Sequence, residues 1–250
     1  MKRVIVTGGS RGIGRAIAEK LYRSNQWEVL TTGAKSETGP TPLHVNTPID
    51  LDYGDLGRGR FKGFLDSHGW LGKPIHALVL NAGAAIAKPF VEHTLDDFRN
   101  MFEVNTIFPW WCVKTLVTEL EMGKASVIGI SSISGLTGFS TMAGYCASKF
   151  GLNAVMQVGA KELSKKGIRF NNVCPGPTQT DMWNNLDKQY RKINGWESDE
   201  QSEQAYMSKL LIKRMGHVND IADAVEFLVS DKAQYITGTN MKVCGGNLIG

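Results

Sequence analysis

The sequence is poor in cysteine, and none of it forms a motif. Cys112, Cys146, Cys174 and Cys244 stand apart, with no C-x-x-C pair and no histidine close to any of them. That scatter argues against a zinc site or a disulfide framework and predicts reduced thiols in a cytoplasmic protein. Long apolar runs are missing as well: none approaches the roughly 18 residues needed to cross a bilayer, so no membrane partner is expected. The opening MKRVIVTGG has only VIV before its glycines, too little for the apolar region of a signal peptide, and the chain is expected to start on its first strand. Charge of one sign is scarce too. The 28 Lys and Arg against 24 Asp and Glu leave +4, and the densest basic spot, SKKGIR (164–169), reads as a solvated helix end and a turn. A nucleic-acid partner would need a clustered basic stripe. Linkers, internal repeats and low-complexity segments are absent, which predicts one domain over 1–250, near the upper size for a single core.

What is present is alternation. RVIVTG (3–8), WEVLTTG (27–33), HALVLNAG (76–83), ASVIGISS (125–132), IRFNNVCPG (168–176) and TNMKVCGG (239–246) are short apolar runs that end in Gly, Ser or Asn. Between them lie amphipathic stretches: Ile13, Ile17 and Leu21 at i, i+4, i+8; the long patterns 95–120 and 143–166; and VNDIADAVEFLVS, with Asn219 read as its cap. Strands alternating with helices predict an α/β fold, a doubly wound parallel sheet with helices on both faces. Two stretches break the rhythm. Residues 34–62 are rich in Gly, Pro and Asp, with a short strand expected at PLHVNTP; residues 181–213 are polar but carry Trp183, Tyr190, Trp196 and Tyr206, as a lid or binding loop would.

Chemistry concentrates at two places. The first strand runs into TGGSRGIG (7–14) and then a helix, which sets backbone amides and the helix dipole around one point where a pyrophosphate can approach. The spacing is T-G-x-x-x-G-x-G, on Thr7, Gly8, Gly12 and Gly14, since Ile17 breaks G-x-G-x-x-G. The second place is GYCASKFG (144–151), where Tyr145 and Lys149 share one helix face. A cation beside a phenol lowers its pKa from about 10, so the pair reads either as a tuned proton donor or as a surface contact between a ring and a snorkelling lysine.

With these, LNAG (80–83), NTIFP (105–109), ISSISG (130–135), PGPTQTDM (175–182) and the ending RMGHVNDIADAVEFLVSDKAQYITGTNMKVCGGNLIG follow in order. Over essentially its whole length the chain resembles the short-chain dehydrogenase/reductase family, most of all its 3-oxoacyl-carrier-protein reductase-type members. The resemblance implies a Rossmann-type fold and hydride transfer between a nicotinamide cofactor and a carbonyl or secondary alcohol. It makes Tyr145 the general acid or base and Lys149 its electrostatic partner and ribose anchor. Ser132 becomes the donor to the substrate oxygen, with Ser131 and Ser134 as neighbours that could be confused with it. Asn105 is implied to bend its helix and hold a water that links Lys149 to solvent. The cofactor set is Gly8, Ser10, Arg11, Gly12, Ile13, Gly14, Ala34, Lys35, Asp50, Leu51, Asn81, Ala82, Gly83, Tyr145, Lys149, Pro175, Gly176, Thr178 and Thr180, with Asp52 a rival to Asp50 at the adenine. Ser132, Ser134, Tyr145 and Trp183 would meet substrate.

The second strand ends VLTTGAKSE, with Gly33 and Ala34 where an NAD-binding acid would stand and with Arg11 and Lys35 in reach of a 2′-phosphate. Charge therefore predicts NADP(H), although Glu37 lies nearby. Apolar surface on the helices carrying FPWWCVKTLV and YCASKFGLNAVMQVGAKEL matches the family's four-helix interface, so a homotetramer, or else a homodimer, is implied. Cys244 stands where the family usually has Asp. The rival functions are a non-catalytic NADP(H) sensor or scaffold, an NAD-dependent sugar or alcohol dehydrogenase, and an epimerase or dehydratase.

Overall fold

The computed structural model describes residues 1–33, 46–48 and 55–249. Seven strands form one sheet: β1 (Lys2–Val6), β2 (Trp27–Gly33), β3 (Asn46–Pro48), β4 (Ala77–Leu80), β5 (Ser126–Ile130), β6 (Arg169–Pro175) and β7 (Asn240–Val243). They lie in the order β3-β2-β1-β4-β5-β6-β7, every pair parallel. The helices are α1 (Gly12–Arg23), α2 (Asp55–Ser67), α3 (Leu95–Phe102), α4 (Phe108–Gly123), α5 (Ala143–Leu163), α6 (Asp181–Asn194), α7 (Asp199–Met207) and α8 (Val218–Val229).

Successive side chains of a strand point to opposite faces, and the core divides accordingly. Ile5, Leu30, Leu78, Val127 and Phe170 pack on one face against Phe61 of α2, Phe108, Cys112 and Leu116 of α4, and Leu152 and Met156 of α5. Val4, Val6, Val29, Val79, Ile128 and Val173 pack on the other against Ile17 and Leu21 of α1 and Ile221, Val225 and Leu228 of α8. The sheet is thus covered on both faces, as the unbroken apolar strands predict. Between β1 and β4 the strand order reverses, which opens a crevice at their carboxyl ends where ligands of such sheets bind.

Three local readings of the sequence need correction. The pattern over 95–120 is two α-helices joined by a π turn at Glu103–Ile107, with Asn105 in its middle and Pro109 opening α4. Such a turn holds one residue more than the α register allows, and it arises where a side chain is held from outside the helix. The cap of α8 is His217, not Asn219: the His217 ring accepts from the Asn219 amide at 3.3 Å, and the Asp220 carboxylate accepts from the His217 amide at 2.7 Å. The excursion 181–213 is largely helical. Thr180 caps α6, Gly195 ends it with φ +66°, and Ser198 caps α7. Among the described residues no helix is long and apolar enough to cross a membrane, and all four cysteines are free.

Candidate active site

At the carboxyl ends of β1, β4, β5 and β6 lies a cavity of about 650 Å³, bordered by α6 and α7. One wall is the glycine turn. Gly8 takes φ +66°, and a Cβ on Gly14 would come within 2.2 Å of the Gly8 carbonyl oxygen, so only glycine fits there. The turn is braced from β4: the Thr7 hydroxyl accepts from the amides of Asn81 (3.0 Å) and Ala82 (3.1 Å), and the Asn81 side chain donates to the carbonyls of Thr7 (3.0 Å) and Gly8 (2.9 Å). At the start of α1, Arg11 makes no side-chain cap and the first turn holds no acid. Its free amides and dipole suit a diphosphate, and the residues present fit a dinucleotide.

Gly8, Ser10, Arg11, Gly12, Ile13, Asn81, Ala82, Gly83, Pro175, Gly176, Thr178 and Thr180 all line the cavity, while Gly14 stands behind the turn and packs it. Gly33, the last residue of β2, lies so near the turn that a Cβ there would be 2.6 Å from the Ser10 hydroxyl oxygen. Arg11 is exposed at the rim, its guanidinium 3.9 Å from Asp181, a pair worth about 0–1 kcal/mol at such exposure. Ala34, Lys35, Asp50 and Leu51, together with Glu37 and Asp52, lie outside the described residues.

The opposite wall holds the remaining sequence-predicted residues. Ser132, Ser134, Tyr145 and Lys149 converge on the cavity, with Trp183 above them. The Ser132 oxygen accepts from the Ser134 amide at 3.0 Å, and its hydroxyl lies close enough to the Tyr145 phenol to favour the phenolate. The Ser131 hydroxyl is buried without a hydrogen-bond partner, and of the three serines only Ser132 acts on the Tyr145 phenol. Lys149 is buried, donates to the Ile130 carbonyl at 2.8 Å and sits 5.8 Å from the centre of the Tyr145 ring.

The electrostatics correct the expectation of a lowered phenol pKa. Burial pushes Tyr145 up to about 12, and the Ser132 hydroxyl only partly opposes it. Burial also pulls Lys149 down to about 8. In this apolar corner loss of hydration outweighs the cation, which bonds Ile130 rather than the phenol. Tyr145 is accordingly a protonated donor at neutral pH.

Asn105 does not line the cavity but fixes what does. Its amide donates to the Ala84 carbonyl (2.8 Å) and to the Ser148 hydroxyl (2.9 Å), and its oxygen accepts from the Ala84 amide (2.9 Å). Both amide hydrogens are thus engaged with protein, and the segment after β4 is tied to α5. A Cβ on Gly83 would lie 3.3 Å from the Asn105 oxygen and 3.7 Å from the Lys149 nitrogen, so these residues meet at one point.

The lid rests on the cofactor wall, since a Cβ on Gly12 would sit 3.5 Å from the Thr180 methyl. Gln189 of α6 accepts from the Ala87 amide at 2.6 Å, Asp187 takes the Ser202 hydroxyl, and Arg191 pairs with Asp199. Around Tyr206 the rings of Trp183 (4.7 Å), Trp196 (5.9 Å) and Tyr190 (6.1 Å) meet edge to face. Gln189 and Cys174 were not singled out by sequence. A lone polar helix residue and a strand cysteine carry no pattern that marks them.

The family model described as enoyl-(acyl carrier protein) reductase matches residues 8–247. The chain is 31% identical to L-2,3-butanediol dehydrogenase of Corynebacterium glutamicum, covering 99% of this chain and 98% of that protein. It is 32% identical to a 3-oxoacyl-acyl-carrier-protein reductase of Haemophilus influenzae, with 98% and 97% covered. Among solved structures, 4-hydroxyisoleucine dehydrogenase complexed with NADH matches at TM-score 0.83 and 22% identity over 100% of both chains, a likeness of fold. Levodione reductase matches at TM-score 0.84 and 25% identity, over 98% of this chain and 96% of that one.

Proposed function

Because the chain belongs to the short-chain dehydrogenase/reductase family, we propose that it is an NADP(H)-dependent reductase of a ketone, 3-oxoacyl-like in having a further oxygen near the reacting carbonyl. The carrying observation is the Tyr145 phenol, with Ser132 lining the same wall and buried Lys149 5.8 Å from its ring centre, set across a cavity from an uncapped glycine turn. The bound cofactor supplies the hydride, or takes it up in the reverse direction. Tyr145 donates its proton to the carbonyl oxygen as charge develops there, the task of a general acid. Ser132, whose oxygen is held by the Ser134 amide, keeps its own hydrogen for that same oxygen. Lys149 has three N–H groups and gives one to Ile130, leaving two for ribose hydroxyls and for the electrostatics of the phenol. Asn105 is a positioning residue that keeps Gly83, Ala84 and α5 in place. With the phenol high and protonated, the site is set for reduction at pH 7.

Two features support NADP(H). Strand β2 ends in Gly33 with no carboxylate at its described end, and Arg11 stands exposed beside Ser10 at that rim. A planar guanidinium is suited to a 2′-phosphate. The second reading, an NAD-dependent dehydrogenase of a secondary alcohol, is favoured by the 3.9 Å approach of Asp181 to Arg11, which would compete with a phosphate. A non-catalytic sensor accounts less well for Ser132, Tyr145 and Lys149 meeting at one cavity. Exposed Ile107, Trp110, Phe150 and Val158 on or beside α4 and α5 suit a homotetramer, and free cysteines suit the cytoplasm.

Fluorescence titration of wild type and of an Arg11→Ala/Lys35→Ala variant with NADPH and NADH tests the cofactor. The proposal expects wild type to prefer NADPH by at least tenfold and the variant to lose that preference. Equal or tighter NADH binding by wild type would favour the second reading.

A further inference from the structure

We infer that Ser131, Asn153 and Asn172 form a binding site for a buried water beneath the wall of Ser132, Tyr145 and Lys149. The water fixes the helix that carries Tyr145 and Lys149 against the strand end that carries Ser132. The site is independent of the reductase reading, and only its effect on turnover rests on that reading. The three side chains belong to residues 3%, 5% and 1% exposed. Among the described residues nothing takes up the Ser131 hydroxyl, the Asn153 carbonyl oxygen or the Asn172 carbonyl oxygen. Buried polar atoms of native proteins are nearly always paired, with protein or with ordered water.

These atoms gather in one layer between β5, β6 and α5. A Cβ on Gly135 would lie 2.8 Å from both the Ser131 oxygen and the Asn153 side-chain nitrogen, so the two side chains meet at that glycine. A Cβ on Gly129 would lie 2.3 Å from the Asn172 oxygen and 3.4 Å from Met156 of α5. Gly129 pairs with Asn172 across the sheet, and Ser131 follows on the same face of β5, about 6–7 Å along the strand. Asn153 and Met156, three apart, share one face of α5. Both amides are held in place by their nitrogens: Asn153 donates to the Gly135 carbonyl and Asn172 to the Asn240 side-chain oxygen, each at 2.8 Å. The Cys174 thiol lies near Ser131, but a thiol is a weak partner. One hydroxyl able to donate and two oxygens that only accept are the complement of a single water. It takes the Ser131 hydrogen and gives one hydrogen to each asparagine, the three bonds usual for a buried water. The Lys149 ammonium, bonded to the Ile130 carbonyl next to Ser131, disfavours a metal cation there.

The position gives the water its role. Ser131 adjoins Ser132, and its hydroxyl oxygen is sealed although the residue borders the cavity. Asn153 lies one turn beyond Lys149 and two beyond Tyr145 on the same helix face. Asn105 holds α5 through Ser148, and the water holds it on the side of the sheet. Ser131, Asn153 and Asn172 are thus positioning residues.

Crystal structures of wild type and Asn153→Leu, at a resolution that shows ordered water, test the site without turnover. Wild type is expected to show a water within hydrogen-bond distance of the Ser131, Asn153 and Asn172 oxygens, and Asn153→Leu to show none. Wild type without that water overturns the assignment. Asn172→Leu, at the far corner of the same site, takes the place of Asn153→Leu if the latter does not fold. In ketone reduction Ser131→Ala and Asn153→Leu should each lower kcat about tenfold, with the ketone KM and the NADPH Kd within about twofold of wild type. The double variant should fall no further than Asn153→Leu alone, because both act through one water. Losses that multiply in the double variant, or a loss of NADPH affinity with kcat intact, overturn the positioning role. If the water is present but neither NADPH nor NADH supports reduction of any ketone tried, the site stands and the reductase reading fails.

Discussion

The glycine turn and the lid enclose the same cavity and are built by opposite means. The turn is held through its backbone: Gly8 and Gly14 allow close approach, the Asn81 side chain takes its Gly8 carbonyl, and the Thr7 hydroxyl accepts from the amides at the end of β4. The lid is held by side chains, with three aromatic rings meeting around Tyr206, Asp187 on Ser202 and Gln189 on Ala87. A backbone device tolerates almost no substitution and serves a ligand common to many enzymes. A side-chain device can be rebuilt residue by residue, which suits the part of the site that chooses a substrate.

That contrast predicts unequal damage. Gly14→Ala drives a methyl into the Gly8 carbonyl at 2.2 Å, and overpacking of this kind costs about 1–3 kcal/mol. Urea unfolding should show that loss, and titration should show cofactor affinity falling by at least about a hundredfold, since the anion cradle itself moves. Asn105→Ala leaves the Ala84 amide and the Ser148 hydroxyl without their partner, at about 1–3 kcal/mol by the same unfolding assay. Here kcat should fall while the cofactor Kd changes little, because the diphosphate wall is untouched.

Lys149 separates stability from function. Its ammonium is pulled to about 8 against an ordinary value near 10.4, so the folded protein releases this proton before the unfolded chain does. Between pH 8 and 10 the unfolded chain therefore binds more protons, and this group's contribution to stability rises with pH. Lys149→Met should make the cofactor-free protein about 1–3 kcal/mol more stable at pH 7, an advantage that shrinks as pH passes from 8 to 10, while turnover is lost. Chemical denaturation at pH 7 and pH 9.5 reads both signs. On the lid, the effect should be smallest. Gln189→Ala removes one bond to Ala87, worth about 0.5–1.5 kcal/mol, and should raise the ketone KM several-fold with kcat nearly unchanged in steady-state assays.

The same contrast explains what the sequence made legible. A glycine required by φ or by close approach has few substitutes, so TGGSRGIG announced the turn, and unbroken apolar runs such as ALVL and SVIGI announced buried parallel strands. The wall that gathers Ser132, Tyr145 and Lys149 was legible by residue type and spacing, and all three line one cavity. The helices over 181–207 were hidden by their polarity, since their few aromatic residues pack on one another and not on the sheet. A bend at Asn105 was implied by the resemblance, but its form as a π turn was hidden because Asn105 is held by Ala84 and Ser148, residues distant in sequence. The Tyr145 pKa went the other way because spacing reveals a neighbouring lysine but not the burial that outweighs it.

The most direct test of the account is ketone-dependent oxidation of NADPH by Tyr145→Phe, with NADPH affinity measured on the same sample. Loss of a general acid costs about 10²–10⁴ in rate. The account predicts a fall of that size in kcat with the NADPH Kd within about twofold of wild type. Turnover near the wild-type rate would contradict it, because the proton would then come from elsewhere.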